Sequence, residues 1–432
     1  MPEIHPFRGI RYDMTKVGAL SDVIAPPYDV IGPDLQDQLY QASPHNVVRL
    51  ELNREESTDA PGNDRYTRAA KFLKDWRKDG VLSEEAHPAL YVYHQTFQVE
   101  GQSFTRKGFL ARVRLEKFGE GRIFPHEQTL SGPKADRLAL FNATKFNLSP
   151  IFGLYPDAEN AVLQAVESGI KDRTPLEAVD HLGVVNRIWP VLDQEAHTLA
   201  AGLIAGKPTF IADGHHRYET GLKYREELQA AGKLTGPDDP ANFTMMMLVS
   251  MNDPGLLILP THRLVSGLTG LTGEELARRL EPEFEVRLAG IGDAGAKAAW
   301  EDIEIGGEQD TLGFGTVSDG RWYLARLRND ATMDSLAPDH SPEWRSLGVS
   351  ILRELVLGKL LDGLGTPSIR YVHLLDEVTQ SANAKACDLA CLVPPAGMEH
   401  VESIASNLEK MPPKSTYFYP KLLTGLVLNP LQ

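Results

Sequence analysis

Cysteine is nearly missing from this chain: only Cys387 and Cys391 occur in 432 residues. That excludes a disulfide framework and fits a reducing compartment. Their i, i+4 spacing, with no nearby His or Cys partners, makes no zinc pattern. No apolar run reaches membrane-spanning length. The first residues lack the apolar core of a secretion signal. The expectation is a soluble, cytoplasmic protein. An excess of positive charge is missing too, because the formal net charge is −15. Nucleic acid is therefore not an expected partner, since its phosphates demand clustered Lys and Arg. A local basic pocket is still allowed.

Several catalytic signatures are also absent. There is no Gly-x-x-x-x-Gly-Lys-Ser/Thr loop and no Gly-x-Gly-x-x-Gly opening a helix. Neither a Gly-x-Ser-x-Gly elbow nor a His-Glu-x-x-His pair is present. Familiar NTPases, dehydrogenases, serine hydrolases and zincins are poorly supported. What the chain does have is a 42% hydrophobic content, ample for real cores. Strand-like and helix-like segments alternate, which predicts a mixed α/β (α+β) fold. The predicted divisions are an N-terminal α+β region (1–120), a core (121–265), an α+β insert or lobe (266–345) and a C-terminal region returning to the core (346–432).

The stretch around which the rest is organised is PTFIADGHHRYETGLKY, Pro208–Tyr224. A short apolar run ends at Asp213-Gly214, and a helical pattern follows, so strand, tight turn and helix are predicted. Gly214 permits a backbone shape that residues with a Cβ adopt reluctantly. His215, His216 and Arg217 then sit near a helix N-terminus, where free N–H groups and the helix dipole favour an anion. Arg217 adds a planar fork suited to phosphate oxygens. Three roles stay open for Asp213: holding a metal, orienting a histidine, or capping the helix.

Other stretches add candidates. Ala25-Pro26-Pro27-Tyr28-Asp29 must be extended or turning. It reads either as a rigid connector or as a loop presenting Tyr28 and Asp29 to a pocket. In Arg122–Leu138, His126 and Glu127 are suited to moving protons. Ser131-Gly132-Pro133 reads as a turn, with Lys134 and Arg137 placed to steady phosphate. Thr261, His262 and Arg263 follow the apolar strand Leu256–Pro260, a place where α/β proteins put ligand contacts. In the tail, Lys414, Ser415 and Thr416 offer ammonium and hydroxyl donors, and Lys421 follows. Leu347–Leu361 reads as an apolar helix, suited to burial or to a contact in a homodimer.

Five blocks carry a resemblance to a known family: APPYDVI, FPHEQTLSGPKADRL, IADGHHRYET, LPTHR and PPKSTYFYPKLLTGLV. Together they resemble the family catalogued as domain of unknown function 1015. IADGHHR is similar to the signature of the ParB/sulfiredoxin-like superfamily. In its free-serine-kinase branch such a turn grips phosphate. The resemblance implies a ParB/sulfiredoxin-like core around the turn, with added α+β lobes. It implies a small-molecule phosphotransferase, a free L-serine kinase-like enzyme making O-phosphoserine from ATP, ADP or pyrophosphate. Glu127 or Asp29 would then be the base, with His126 and Asp213 beside the chemistry. Gly214, His215, His216, Arg217, Lys134, Arg137, Lys414, Ser415 and Thr416 would meet donor phosphates. Tyr28, Asp29, Thr261, His262, Arg263 and Lys421 would meet the acceptor. Asp213 would reach Mg²⁺ through water. Two alternatives follow from the same likeness: a ParB-like nucleotide-binding regulator without catalysis, and a phosphomonoester hydrolase acting on phosphoserine.

Overall fold

The computed structural model describes residues 3–129 and 131–432. Leu130, inside the second of the five blocks, lies outside the described residues. The chain folds as mixed α/β and divides into two compact units. Unit 1 draws on 1–125, 129–257 and 420–432; unit 2 draws on 126–128 and 258–419. Residues 121–265 thus contribute to both.

Unit 1 is built on one large sheet. Helix α1 (Arg65–Lys78) leads in, capped by Asp64, whose side chain accepts from the Tyr66 and Thr67 N–H groups. Ala69, Leu73 and Trp76 form its buried stripe at helical spacing. Then come β1 (Leu90–Val99) and β2 (Gln102–Arg114), an antiparallel hairpin. Its turn uses Glu100 at φ 50° and Gly101 at φ 79°, the twin left-handed geometry that tight hairpins need. Next are β3 (Ile123–Pro125), α2 (Ser131–Thr144), β4 (Ile151–Tyr155), β5 (Leu176–Val179) and β6 (Val185–Val191). Helix α3 (Gln194–Ile204), β7 (Thr209–Asp213), α4 (His215–Ala230) and β8 (Phe243–Ser250) complete the series. The strand order is β3-β7-β4-β8-β2-β1-β6-β5, with Ile4–His5 beside β2. Every residue of β8 is buried, so its methionine run is core. Tyr155, Trp189, Ile211, Tyr218 and Met246 share one apolar cluster.

Ser131-Gly132-Pro133 is not a turn; it opens α2. A proline in a first turn removes only an N–H that has no intrahelical acceptor.

Unit 2 carries a six-stranded, wholly antiparallel sheet. Its strands are β9 (His262–Leu268), β10 (Phe284–Ile291), β11 (Thr311–Thr316), β12 (Arg321–Leu327), β13 (Gly365–Val372) and β14 (Leu389–Leu392), in the order β10-β12-β11-β14-β9-β13. Helix α5 (Gly292–Gly306) buries Ala296, Ala299, Trp300 and Ile303, and the apolar cluster they join takes in Leu264, Trp322 and Leu392. Both cysteines are buried and free in this unit. Among the described residues, no helix is long and apolar enough to cross a membrane.

Candidate functional site

The Asp-Gly turn sits where β7 hands over to α4. The pairing of β7 with β4 slips between Ile211 and Asp213. A bulge of this kind re-aims the side chain that follows it. Gly214 is the N-cap of α4 at φ +92°, and no side chain caps the helix there. Asp213 is therefore not a cap. It is instead a counter-ion. Its Oδ2 accepts from Arg217 Nη2 at 2.7 Å, and its Oδ1 from Lys421 Nζ at 2.6 Å. Burial works to raise the Asp213 carboxyl, but Lys421 and Arg217 outweigh it and hold the group well below the ordinary carboxylate range. A carboxylate held ionised this firmly is a poor proton acceptor near neutral pH.

Arg217 differs from expectation in the same way. It is only 7% exposed at its side chain, and Nη1 donates to the Pro150 carbonyl. Its fork is engaged inside the protein, because a buried guanidinium must find acceptors. The side chain lies across Gly214, where an added Cβ would come within 3.1 Å of the guanidinium atoms.

Lys421 is positioned by two residues the sequence did not mark. Fully buried Arg106 donates to Gln95 Oε1 and to the Pro420 carbonyl. Gln95 Nε2 in turn donates to the Lys421 carbonyl at 3.1 Å. Burial pushes the Arg106 guanidinium down to about 10, so it stays charged. The only trace of this in the sequence is an arginine and a glutamine inside otherwise strand-like runs.

A second ionic group lies in the same unit. Arg137, expected to steady phosphate, is buried and bonded to Asp136 and Glu51. Its guanidinium lies 4.0 Å from the centre of the Tyr28 ring. Burial, with help from Asp29, pushes the Tyr28 phenol up to about 12. Asp29 itself is exposed. Ser149 Oγ donates to Glu51 Oε1 at 2.8 Å. Lys134 Nζ meets Glu219 Oε2 at 2.8 Å. His215 is buried and His216 half-buried on the first turn of α4.

The remaining candidates belong to unit 2. Glu127 Oε1 accepts from the Lys414 N–H at 3.3 Å, and His126 Nε2 meets Thr416 Oγ1 at 2.9 Å. Lys414 is exposed and left-handed at φ 58°. Ser415 is buried, its hydroxyl on the Pro412 carbonyl. Arg263 donates to the Lys414 carbonyl at 2.9 Å and to that of Thr261. Thr261, His262 and Arg263 are all buried, and His262 opens β9. His262 Nδ1 accepts from the Val393 N–H, and its ring meets Trp300 edge-on at 4.8 Å. A polar triplet after a strand looks like a ligand loop only until the next strand starts within it.

Direct Mg²⁺ ligation by Asp213 does not fit. Both carboxylate oxygens already face cations. Among the described residues, no group of three or more His, Cys, Asp or Glu side chains is placed to hold a metal.

Residues 4–350 match the model of a family described as a protein of unknown function, DUF1015. The chain belongs to this family. The DUF1015 match ends before the Lys414–Lys421 segment. No curated protein matches the sequence. Among solved structures, a free serine kinase in complex with ADP is similar at 14% identity over 69% of this chain and 84% of that one, TM-score 0.34. A conserved hypothetical protein from Pyrococcus furiosus is similar at 15% identity over 70% and 89%, TM-score 0.32. SbnI with a C-terminal truncation, from Staphylococcus aureus, is similar at 13% identity over 74% and 87%, TM-score 0.34.

Proposed function

We propose that this DUF1015 chain is a small-molecule phosphotransferase, with free L-serine as acceptor and ATP, ADP or pyrophosphate as donor. The observation that carries the reading is the pairing at the head of α4: one carboxylate, Asp213, serves two cations, Arg217 and Lys421. That puts two cations beside a helix N-terminus that no side chain caps. Such a corner suits an anion. The IADGHHR resemblance to the serine-kinase branch points the same way.

In this reading the terminal phosphate of the donor lies at the first turn of α4, beside Lys421. The serine hydroxyl oxygen attacks phosphorus, a new O–P bond forms, and the bond to the leaving phosphate or nucleotide breaks. The hydroxyl proton passes to a carboxylate, for which Asp29, in the same unit as the turn, is the candidate. Lys421 and the first turn of α4 hold charge that builds on the phosphoryl oxygens, and Arg217 keeps the turn in shape. Positioning and charge neutralisation are most of what phosphoryl transfer requires.

The test is direct. The protein is incubated with L-serine, magnesium and each donor in turn, and O-phosphoserine is sought by mass spectrometry. Product with at least one donor is expected. Absence of product with all three, from folded protein, rules the activity out.

A further inference from the structure

Lys421 and Arg217 hold Asp213 in different ways. Arg217 is tied at two points, to Asp213 and to the Pro150 carbonyl, and is 7% exposed at its side chain. Lys421 brings a single ammonium on a flexible stem and is 15% exposed, next to a carboxylate that is 19% exposed. Its backbone is fixed independently of its charge: Gln95 holds its carbonyl and Arg106 that of Pro420. The Lys421 ammonium can therefore change partner while its Cα stays in place. An ammonium is a point charge with three rotatable donors, so it needs no planar match to bind a new oxygen.

We infer that Asp213 is an internal stand-in for the ligand: an incoming phosphate or pyrophosphate takes Lys421 from Asp213 Oδ1, while Arg217 keeps Oδ2. This rests on reading the turn as the phosphate site. It adds that the site carries its own competitor, so that binding is an exchange of anions on Lys421 rather than the filling of a vacant pocket. The exchange favours a ligand with more than one negative charge, because a singly charged carboxylate already occupies the lysine. It also assigns Asp213 the opposite effect from a metal ligand, since its negative charge opposes the anion.

The experiment measures the affinity of inorganic pyrophosphate by calorimetry, without serine and with a chelator in place of metal. Asp213→Asn removes the competing charge and keeps the shape, so affinity rises by about tenfold. Lys421→Gln removes the exchanging cation, so affinity falls by about tenfold. An Asp213→Asn protein that binds pyrophosphate equally or less well overturns the exchange, and so does a Lys421→Gln protein that binds as wild type. A repeat with magnesium separates the metal role: weaker binding by Asp213→Asn there also overturns it. If Asp213→Asn does not fold, Asp213→Ser, which also removes the competing charge, is measured in its place, with the same gain expected. Should wild type itself bind neither pyrophosphate nor phosphate, the phosphate site fails, and the exchange with it. Wild-type binding without the Asp213→Asn gain removes the exchange alone.

Discussion

Lys421 and Asp213 stand 208 residues apart in the chain, yet the ammonium nitrogen and the carboxylate oxygen are 2.6 Å apart. Arg217, four residues on from Asp213, holds the other oxygen. The pairing gives the Asp-Gly-His-His-Arg turn a shape that a local motif cannot supply.

Arg217→Ala leaves Asp213 with one cation and the Pro150 carbonyl without its donor. Breaking a buried pair of this kind costs about 3 kcal/mol. Phosphoserine formation should fall on the order of a hundredfold, because a turn that loses its shape misplaces the groups that hold the donor. Arg217→Lys should restore part of the stability but little of the activity, because the fork spanning both acceptors is lost. Urea unfolding and product assays measure the two effects. Full activity in Arg217→Ala would remove the turn from the mechanism.

Gly214→Ala tests the backbone. At φ +92° a residue with a Cβ is strained, and the Cβ would press on the Arg217 guanidinium at 3.1 Å. A loss of about 1–3 kcal/mol is expected. The thermal midpoint should fall accordingly. An unchanged midpoint would mean that the turn tolerates a Cβ at this position.

Stability against pH has a defined sign at two places. Asp213 is held well below the usual carboxylate range, burial being outweighed by Lys421 and Arg217. Its contribution is therefore complete above the unfolded value of about 4 and is lost as pH falls towards the folded one. His262 is lowered to about 3, chiefly by burial. The unfolded chain takes up this proton at about pH 6.5, so stability declines as pH falls from there towards 3. His262→Phe should flatten that acid-side decline. Unfolding free energies at a series of pH values provide the check.

The base is assigned by comparing Asp29→Asn with Glu127→Gln. Loss of a general base lowers turnover by about 10²–10⁴-fold while leaving donor binding in place. Only one variant is expected to show that separation of kcat from KM. If neither does, proton transfer to a carboxylate is not part of the reaction.

Periodicity and turn chemistry, read from the sequence alone, determined most of the local elements. Asp64 heads α1 because an aspartate there meets orphan N–H groups, and Glu100-Gly101 turns the hairpin because those residues tolerate a left-handed backbone. The strand, turn and helix about Gly214 were legible for the same short-range reasons. Tertiary structure alone decided which way the charges face. Arg217, Arg137 and Arg263 look like surface forks in the sequence, yet each is buried on internal acceptors. An arginine's partner depends on burial and on strand register, and both are fixed by distant segments, 67 to 151 residues away for these three. Local propensity carries no trace of that distance, so the Asp213–Lys421 contact emerged only when the chain was folded.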